Sequence, residues 1–156
     1  MSTLLASSQP ALTSLSEQEQ MFQEAVRDFA TAEIAPLAME MDQAQQMNPG
    51  LITQLFELGL MGIEIPEALG GTGADFFTSV LVVEELSKVD PSIGVLVDVQ
   101  NTLVINAFTR WATDAQCAKY LPMLASDTVG AYALSEAGSG SDAFALSCRA
   151  TQDGPD

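Results

Sequence analysis

The sequence predicts a mainly α protein: a helical bundle over residues 16–126, followed over 127–156 by the first two strands of an incomplete β domain. Three observations predict it. Apolar residues recur at helical spacing between capping residues and prolines as far as Leu124. Beyond Val129 the period falls from 3.6 towards 2 and β-formers appear. With 47% hydrophobic residues in 156, the chain can build a sizeable core as one ordinary domain, so its high charge does not mean disorder.

Each helix announces its start. Met1–Leu15 carries no regular pattern and reads as a flexible tail. Ser16-Glu17-Gln18-Glu19 has capping-box form, and Phe22, Ala25, Val26, Phe29, Ala30 and Ile34 follow on one face. Pro36 should end or bend this first helix near Ile34. Asn48-Pro49 opens a second, with a Leu51, Ile52, Leu55, Phe56, Leu58 stripe and Gly59 at its C-terminal cap. Ile63–Pro66 is short and extended, and Leu69-Gly70-Gly71-Thr72-Gly73 reads as a wide turn rather than a phosphate cradle. Asp75 caps a third helix running to about Val89, apolar on most sides and so central to the bundle. Asp90-Pro91 starts a fourth, and Thr113-Asp114 a fifth whose last turn Pro122 bends. Val129–Ser135 and Phe144–Thr151 are the two strands, and Asp153–Asp156 is a turn. Two strands make no independent sheet, so the sequence reads as cut inside a second domain.

Charge and composition narrow the function. Against 21 carboxylates there are five cations, Arg27, Lys88, Arg110, Lys119 and Arg149, for a net charge of −16. Neutralising phosphates needs Lys and Arg, so no nucleic acid is expected as a partner, and no anionic membrane surface. No apolar run is long enough to span a bilayer. The chain has no His, which removes His-based triads, bases and metal ligands from it. Cys117 and Cys148 form no ligand-spaced cluster and read as reduced, mostly buried thiols, and no metal site is expected. Met1–Leu15 lacks the Arg or Lys of a secretion signal or transit peptide. Glu84 and Glu85 are adjacent on a helix, do not face each other, and read as structural or solvated.

The candidate site is Tyr132, Ala133, Leu134, Ser135, Glu136, Ala137, Gly138, Ser139, Gly140 and Ser141, followed by Asp142. Tyr132 and Leu134 fall on one face at period two, with the small Ala131 and Ala133 on the other. Gly138 and Gly140 permit positive φ and let a flat ligand or another backbone approach. Ser139, Ser141 and neighbouring N–H groups suit an anion. Such a strand and loop is suited to a planar heterocycle ending in a phosphate; the same residues also suit a plain linker turn. The loop is neither a P-loop nor the dinucleotide fingerprint, since the Gly-Lys-Ser/Thr and the third Gly are absent.

These residues resemble the flavin-binding signature of the acyl-CoA dehydrogenases: a small-residue strand, then Thr or Ser, Glu, and a Gly-x-Gly-Ser-Asp loop. Ser135, Glu136, Gly138, Gly140, Ser141 and Asp142 match it. Ala137 stands where many members have Pro, and Ser135 where many have Thr. The Ser-Glu-Ala-Gly form is most similar to the short/branched-chain members. Pro66-Glu67 and Gly70-Gly71 resemble a second family segment, with Leu69 in place of its usual aromatic residue, and Leu121-Pro122 a third. The resemblance runs from Ser16 to the last residue.

The resemblance implies an N-terminal helical domain of the acyl-CoA dehydrogenase type and oxidation of a short or branched acyl-CoA thioester to the 2,3-enoyl-CoA, with FAD as cofactor. Tyr132–Ser141 would lie along the flavin, with Ser141 near its pyrophosphate and near the substrate. No residue here is assigned a catalytic role, because the resemblance places the family's catalytic Glu in a C-terminal domain; its second flavin strand, too, would fall after Asp156. The chain alone is therefore expected to be inactive. The resemblance also implies a homo-oligomer, a tetramer, an electron-transfer flavoprotein as partner, a place in fatty-acid and branched-chain amino-acid catabolism, and the mitochondrial matrix, or the cytoplasm if bacterial. Two alternatives stay open: an acyl-CoA oxidase, and a non-enzymatic helical interaction module whose Gly-Ser loop is a linker.

Overall fold

Residues 14–154 are described by the computed structural model. The tail expected over Met1–Leu15 lies outside the described residues but for Ser14 and Leu15, as do Pro155 and Asp156 of the terminal turn.

The first helix, α1 (Glu17–Phe29), begins with the reciprocal cap its sequence predicts: Glu19 N–H donates to Ser16 Oγ at 3.3 Å, and Ser16 N–H to Glu19 Oε2 at 2.6 Å. Pro36 does not end it. The chain passes through a π-helical turn (Ala30–Ile34) into α2 (Ala35–Ala44), where Pro36 occupies the first turn. The wider turn lets Ala35 N–H bond back to Ala30, five residues earlier, so the prolyl nitrogen arrives where a helix start tolerates it. Burial of Val26, Ala30 and Ile34 on one face holds the helix through the irregularity.

The remaining helices follow their caps. In α3 (Pro49–Glu57), Asn48 Oδ1 accepts from Gly50 N–H at 2.8 Å. It closes with Gly59 at φ 72°, Gly59 N–H donating to Phe56 and Leu60 N–H to Leu55. Residues 62–65 then pair with the glycine loop, since Thr72, Gly73 and Ala74 N–H groups donate to Gly62, Ile65 and Ile63. A side chain at Gly71 would place its Cβ 2.1 Å from the Ile65 carbonyl oxygen, so this loop is a closely packed structural turn, as expected.

Asp75 caps α4 (Phe76–Ser87) and Asp90 caps α5 (Pro91–Asp98). The helix from Pro91 is not uniform: a π-helical segment (Val99–Ile105) joins α5 to α6 (Asn106–Trp111). The last helix, α7 (Asp114–Ser126), has a second capping box, Thr113 with Gln116. It continues past Pro122, because Leu121, Leu124 and Ala125 are buried on its inner face.

Two apolar clusters form the core. One joins α1, α3, α4 and α5 through Val26, Leu55, Val82, Leu86, Ile93 and Val97. The other joins Ile65, Val104 and Ile105 to Leu121 and Leu124. Of the adjacent glutamates, Glu84 is half exposed while Glu85 is buried. Arg27 reaches across from α1 and donates to both Glu85 oxygens at 3.1 Å, and Lys88 adds a bond at 2.9 Å. The Arg27 hydrogen bond, helped by Lys88 and opposed by burial, holds the Glu85 carboxyl down at about 2. The cysteines divide. Cys117 is half-buried with Sγ donating to Phe108 O, but Cys148 is exposed, so the expectation of two buried thiols fails for it.

A carboxyl lowered on folding stabilises above its free value and loses that contribution as pH falls through the lowered one. Arg27→Ala should therefore reduce the urea midpoint at pH 7, with the deficit shrinking as the pH drops from 4.5 towards about 2. A deficit independent of pH would show that Glu85 is not the partner through which Arg27 acts.

Candidate functional site

The segment after α7 is placed by one buried side chain of the π-helical segment Val99–Ile105. Gln100, 1% exposed on the π-helical segment, donates through Nε2 to Leu124 O at 2.9 Å and Thr128 O at 3.0 Å. Its Oε1 accepts from Gly130 N–H at 2.7 Å. From there Ala131–Ser135 runs as an exposed ribbon that is neither helical nor paired. Among the described residues, no N–H or C=O of Ala131–Ser135 has a partner within the chain. Tyr132 and Leu134 are each more than 40% exposed, so the ribbon keeps an accessible apolar surface too.

The glycine-serine loop is ordered by hydrogen bonds. Glu136 and Ser139 exchange N–H···O=C bonds of 2.9 and 3.1 Å around Ala137-Gly138, a tight two-residue turn. Ser139 is 2% exposed and its Oγ donates to Asp142 O at 2.8 Å. Asp142 in turn accepts from Phe144 N–H. Ser141 is exposed. Neither Gly138 nor Gly140 uses the positive φ that glycine permits. Their role is space: a Cβ at either position would meet nothing within 4 Å, so the loop's outer side is open to an approaching group.

The two expected strands do not form. Among the described residues the sole β-bridge is Glu136 with Ser139, and Phe144 begins no strand, since Ala143–Ala145 is a 3₁₀ turn. The mainly α class holds, but a ladder needs neighbours and a covered face, and here Phe144 is fully exposed and Leu146 half exposed. A side chain substitutes for the ladder. The Glu136 carboxylate accepts from Ser147 N–H at 2.8 Å, Ser147 Oγ at 3.0 Å and Cys148 N–H at 3.0 Å. The Ser147 and Cys148 backbone bonds push its pKa below the ordinary carboxylate value.

The residues marked in the sequence lie on one continuous ribbon and turn, and what holds that ribbon, Gln100, was missed. Gln100 and Asn101 are adjacent carboxamides in a helical run rich in aliphatic residues, and their placement there was the available signal. The apolar residues of the run from Pro91 divide: Val97 and Val104 are buried in the core clusters, whereas Leu103 is exposed. The most pronounced hollows, of about 600, 280 and 400 Å³, lie among residues 16–92 and not at the ribbon. The ribbon fits a flavin as one wall of a site: free backbone donors and acceptors along an exposed edge, then an open turn with a free hydroxyl.

The helices of residues 16–128 are those of one class of N-terminal helical domain. A family model for "Acyl-CoA dehydrogenase, N-terminal domain" matches residues 16–128, and the chain belongs to the acyl-CoA dehydrogenase family. It is 50% identical over 141 residues to a probable short/branched chain specific acyl-CoA dehydrogenase of Dictyostelium discoideum, covering 90% of this chain and 34% of that protein. It is 46% identical over 143 residues to the mitochondrial short/branched chain specific acyl-CoA dehydrogenase of Rattus norvegicus, covering 92% and 33%. The crystal structure of acyl-CoA dehydrogenase from Geobacillus kaustophilus superposes with a TM-score of 0.81 at 31% identity, over 90% of this chain and 37% of that one. The chain thus spans about a third of the length of the curated relatives it matches.

Because the lowered Glu136 carboxyl is held by backbone N–H groups, its cross-link exists above the free carboxylate pKa and is lost as pH falls through the lowered one. The amide resonances of Ser147 and Cys148 should titrate together in acid, with a midpoint below that of an ordinary glutamate. Glu136→Ala should abolish that titration and release residues 146–150; unchanged spectra would remove the cross-link.

Proposed function

We propose that this chain is the N-terminal part of an FAD-dependent acyl-CoA dehydrogenase that converts a short or branched acyl-CoA thioester to the 2,3-enoyl-CoA. The observation that carries the reading is the Ala131–Ser135 ribbon, whose backbone groups are all free, running into the open Ser139–Ser141 turn. The 45–50% identity to short/branched-chain relatives supports the substrate class.

The chemistry FAD would supply when bound is acceptance of the hydride leaving the substrate β-carbon, as a carboxylate base takes the α-proton, so that the thioester loses two electrons and gains a C=C bond. This chain's share is binding and orientation. Free N–H and C=O groups of Ala131–Ser135 would hold the polar edge of the flavin, Tyr132 and Leu134 would present apolar surface, and Ser141 Oγ would serve as a hydrogen-bonding group towards the phosphates and the thioester. Domain limits follow: 16–126 helical, 127 onwards the start of the flavin-facing β domain. No residue of this chain is assigned as that base. A base tuned by an apolar pocket has a raised pKa, whereas Glu85 and Glu136 are both lowered and already hydrogen-bonded. By resemblance the reading carries with it a homo-oligomer and an electron-transfer flavoprotein as acceptor, and the mitochondrion is the place that the rat relative's name prints.

The linker alternative expected an unpaired ribbon and a mobile loop. The ribbon is unpaired, but the loop is tied at Glu136, Ser139 and Asp142.

With a single wall exposed to solvent, the 156-residue chain by itself should release FAD on gel filtration; flavin absorbance co-eluting with it would refute the one-wall description. In a chimera carrying residues 16–152 in place of the matching third of the rat relative, thioester-dependent dye reduction should persist. Peroxide made without a dye would instead indicate an oxidase. Ser141→Ala in that chimera should weaken flavin or substrate binding roughly tenfold, the worth of one hydrogen bond to a charged group. Ser139→Ala, which faces inward, should change binding less.

A further inference from the structure

We propose that Gln100 is a positioning residue for the flavin site, acting through Gly130 on the ribbon that follows; the proposal rests on the functional reading above. The side chain is 1% exposed and all its hydrogen-bonding capacity towards the ribbon is used: two carbonyls, Leu124 O and Thr128 O, take its N–H groups, and its oxygen takes Gly130 N–H. Only a carboxamide offers two donors and an acceptor on one head. A carboxylate would face two carbonyl oxygens, and a methionine would leave three backbone groups unpartnered.

A second, independent observation places the same residue of the ribbon. A Cβ on Gly130 would lie 2.5 Å from Val104 Cγ1 and 3.0 Å from Val104 Cγ2. Val104 belongs to the same π-helical segment as Gln100, so one segment grips Gly130 by a hydrogen bond and by close packing at once. Asn101, its neighbour, faces the other way and holds Leu60 O and Ile63 N–H, which anchors that segment in turn. The widened turn shows in Asn106 N–H bonding to Asn101 O, and such turns recur at functional sites. Among the described residues, no backbone hydrogen bond restrains Ala131–Ser135 between Gly130 and the Glu136 turn. The ribbon reaches roughly 17 Å past its anchor when extended. A displacement at Gly130 is therefore carried into the ring-facing residues, where about 1 Å matters to the chemistry.

The test compares FAD dissociation constants and the bound-flavin absorbance spectrum for the holoenzyme containing this chain and for its Gln100→Met variant. The expected result is an FAD Kd raised about tenfold or more with a shifted spectrum, as for a buried group losing its partners. Leu55→Ala, which empties the other core cluster, should destabilise without moving either. Should Gln100→Met fail to fold, Gly130→Ala is expected to raise the FAD Kd likewise, and adding Val104→Ala to recover most of the loss. Wild-type FAD affinity in both Gln100→Met and Gly130→Ala would overturn the proposal. If the wild-type holoenzyme holds no FAD at all, the functional reading falls. The anchoring is then decided on the 156-residue chain by hydrogen exchange: a faster Gly130 amide in Gln100→Met upholds the anchor, and an unchanged one removes it.

Discussion

Two adjacent buried amides on a π-helical segment join the parts of this domain that helices alone cannot. Gln100 holds the end of α7 and the start of the ribbon; Asn101 holds the turn after α3. A helix bundle packs through side-chain stripes, and its loops carry backbone groups that water would otherwise satisfy. Buried amides solve this because each offers donors and an acceptor, and because an unpartnered one costs about 1–3 kcal/mol, they enforce a single arrangement. The two π-helical turns share a logic: each keeps a helix continuous while shifting the face it presents, at Pro36 in one case and at Gln100 in the other.

The contrast between bundle and site follows from burial. Residues 16–126 bury two clusters of aliphatic side chains and cap helix after helix with Ser16, Asn48, Asp75, Asp90 and Thr113. The ribbon and loop bury Ser139 and little else. Their order comes from short hydrogen bonds, Glu136 to Ser147 and Cys148 and Ser139 to Asp142, rather than from packing. A surface of this kind can align a flat ligand edge but does not enclose one.

Electrostatics sort the carboxylates by use. With a net charge of −16, most of the 21 are solvated, and their repulsion is a standing cost. Glu85 is buried and held ionised by Arg27, and Glu136 is held ionised by backbone N–H groups. Both serve as fixed acceptors that fasten one segment to another, the opposite of a proton-transferring group.

Sequence alone determined the helix starts, because a cap is a local event: a Ser, Thr, Asn or Asp oxygen meets an N–H two or three residues on. It also determined the apolar faces and the glycine loops, where periodicity and backbone freedom are local too. It marked Tyr132–Ser141 by composition and by likeness to a known signature. Only the tertiary structure decided that Pro36 and Pro122 leave their helices intact, because the burial of Ile34 and of Leu121 and Leu124 outweighs a lost bond. The same holds for the two strands, which local β-propensity predicted and which did not form. A ladder is a non-local pairing, and without a partner strand Glu136 is what reaches Ser147 and Cys148. Gln100 is the clearest case: its partners lie 24 to 30 positions away, a distance over which no pattern of neighbours carries information.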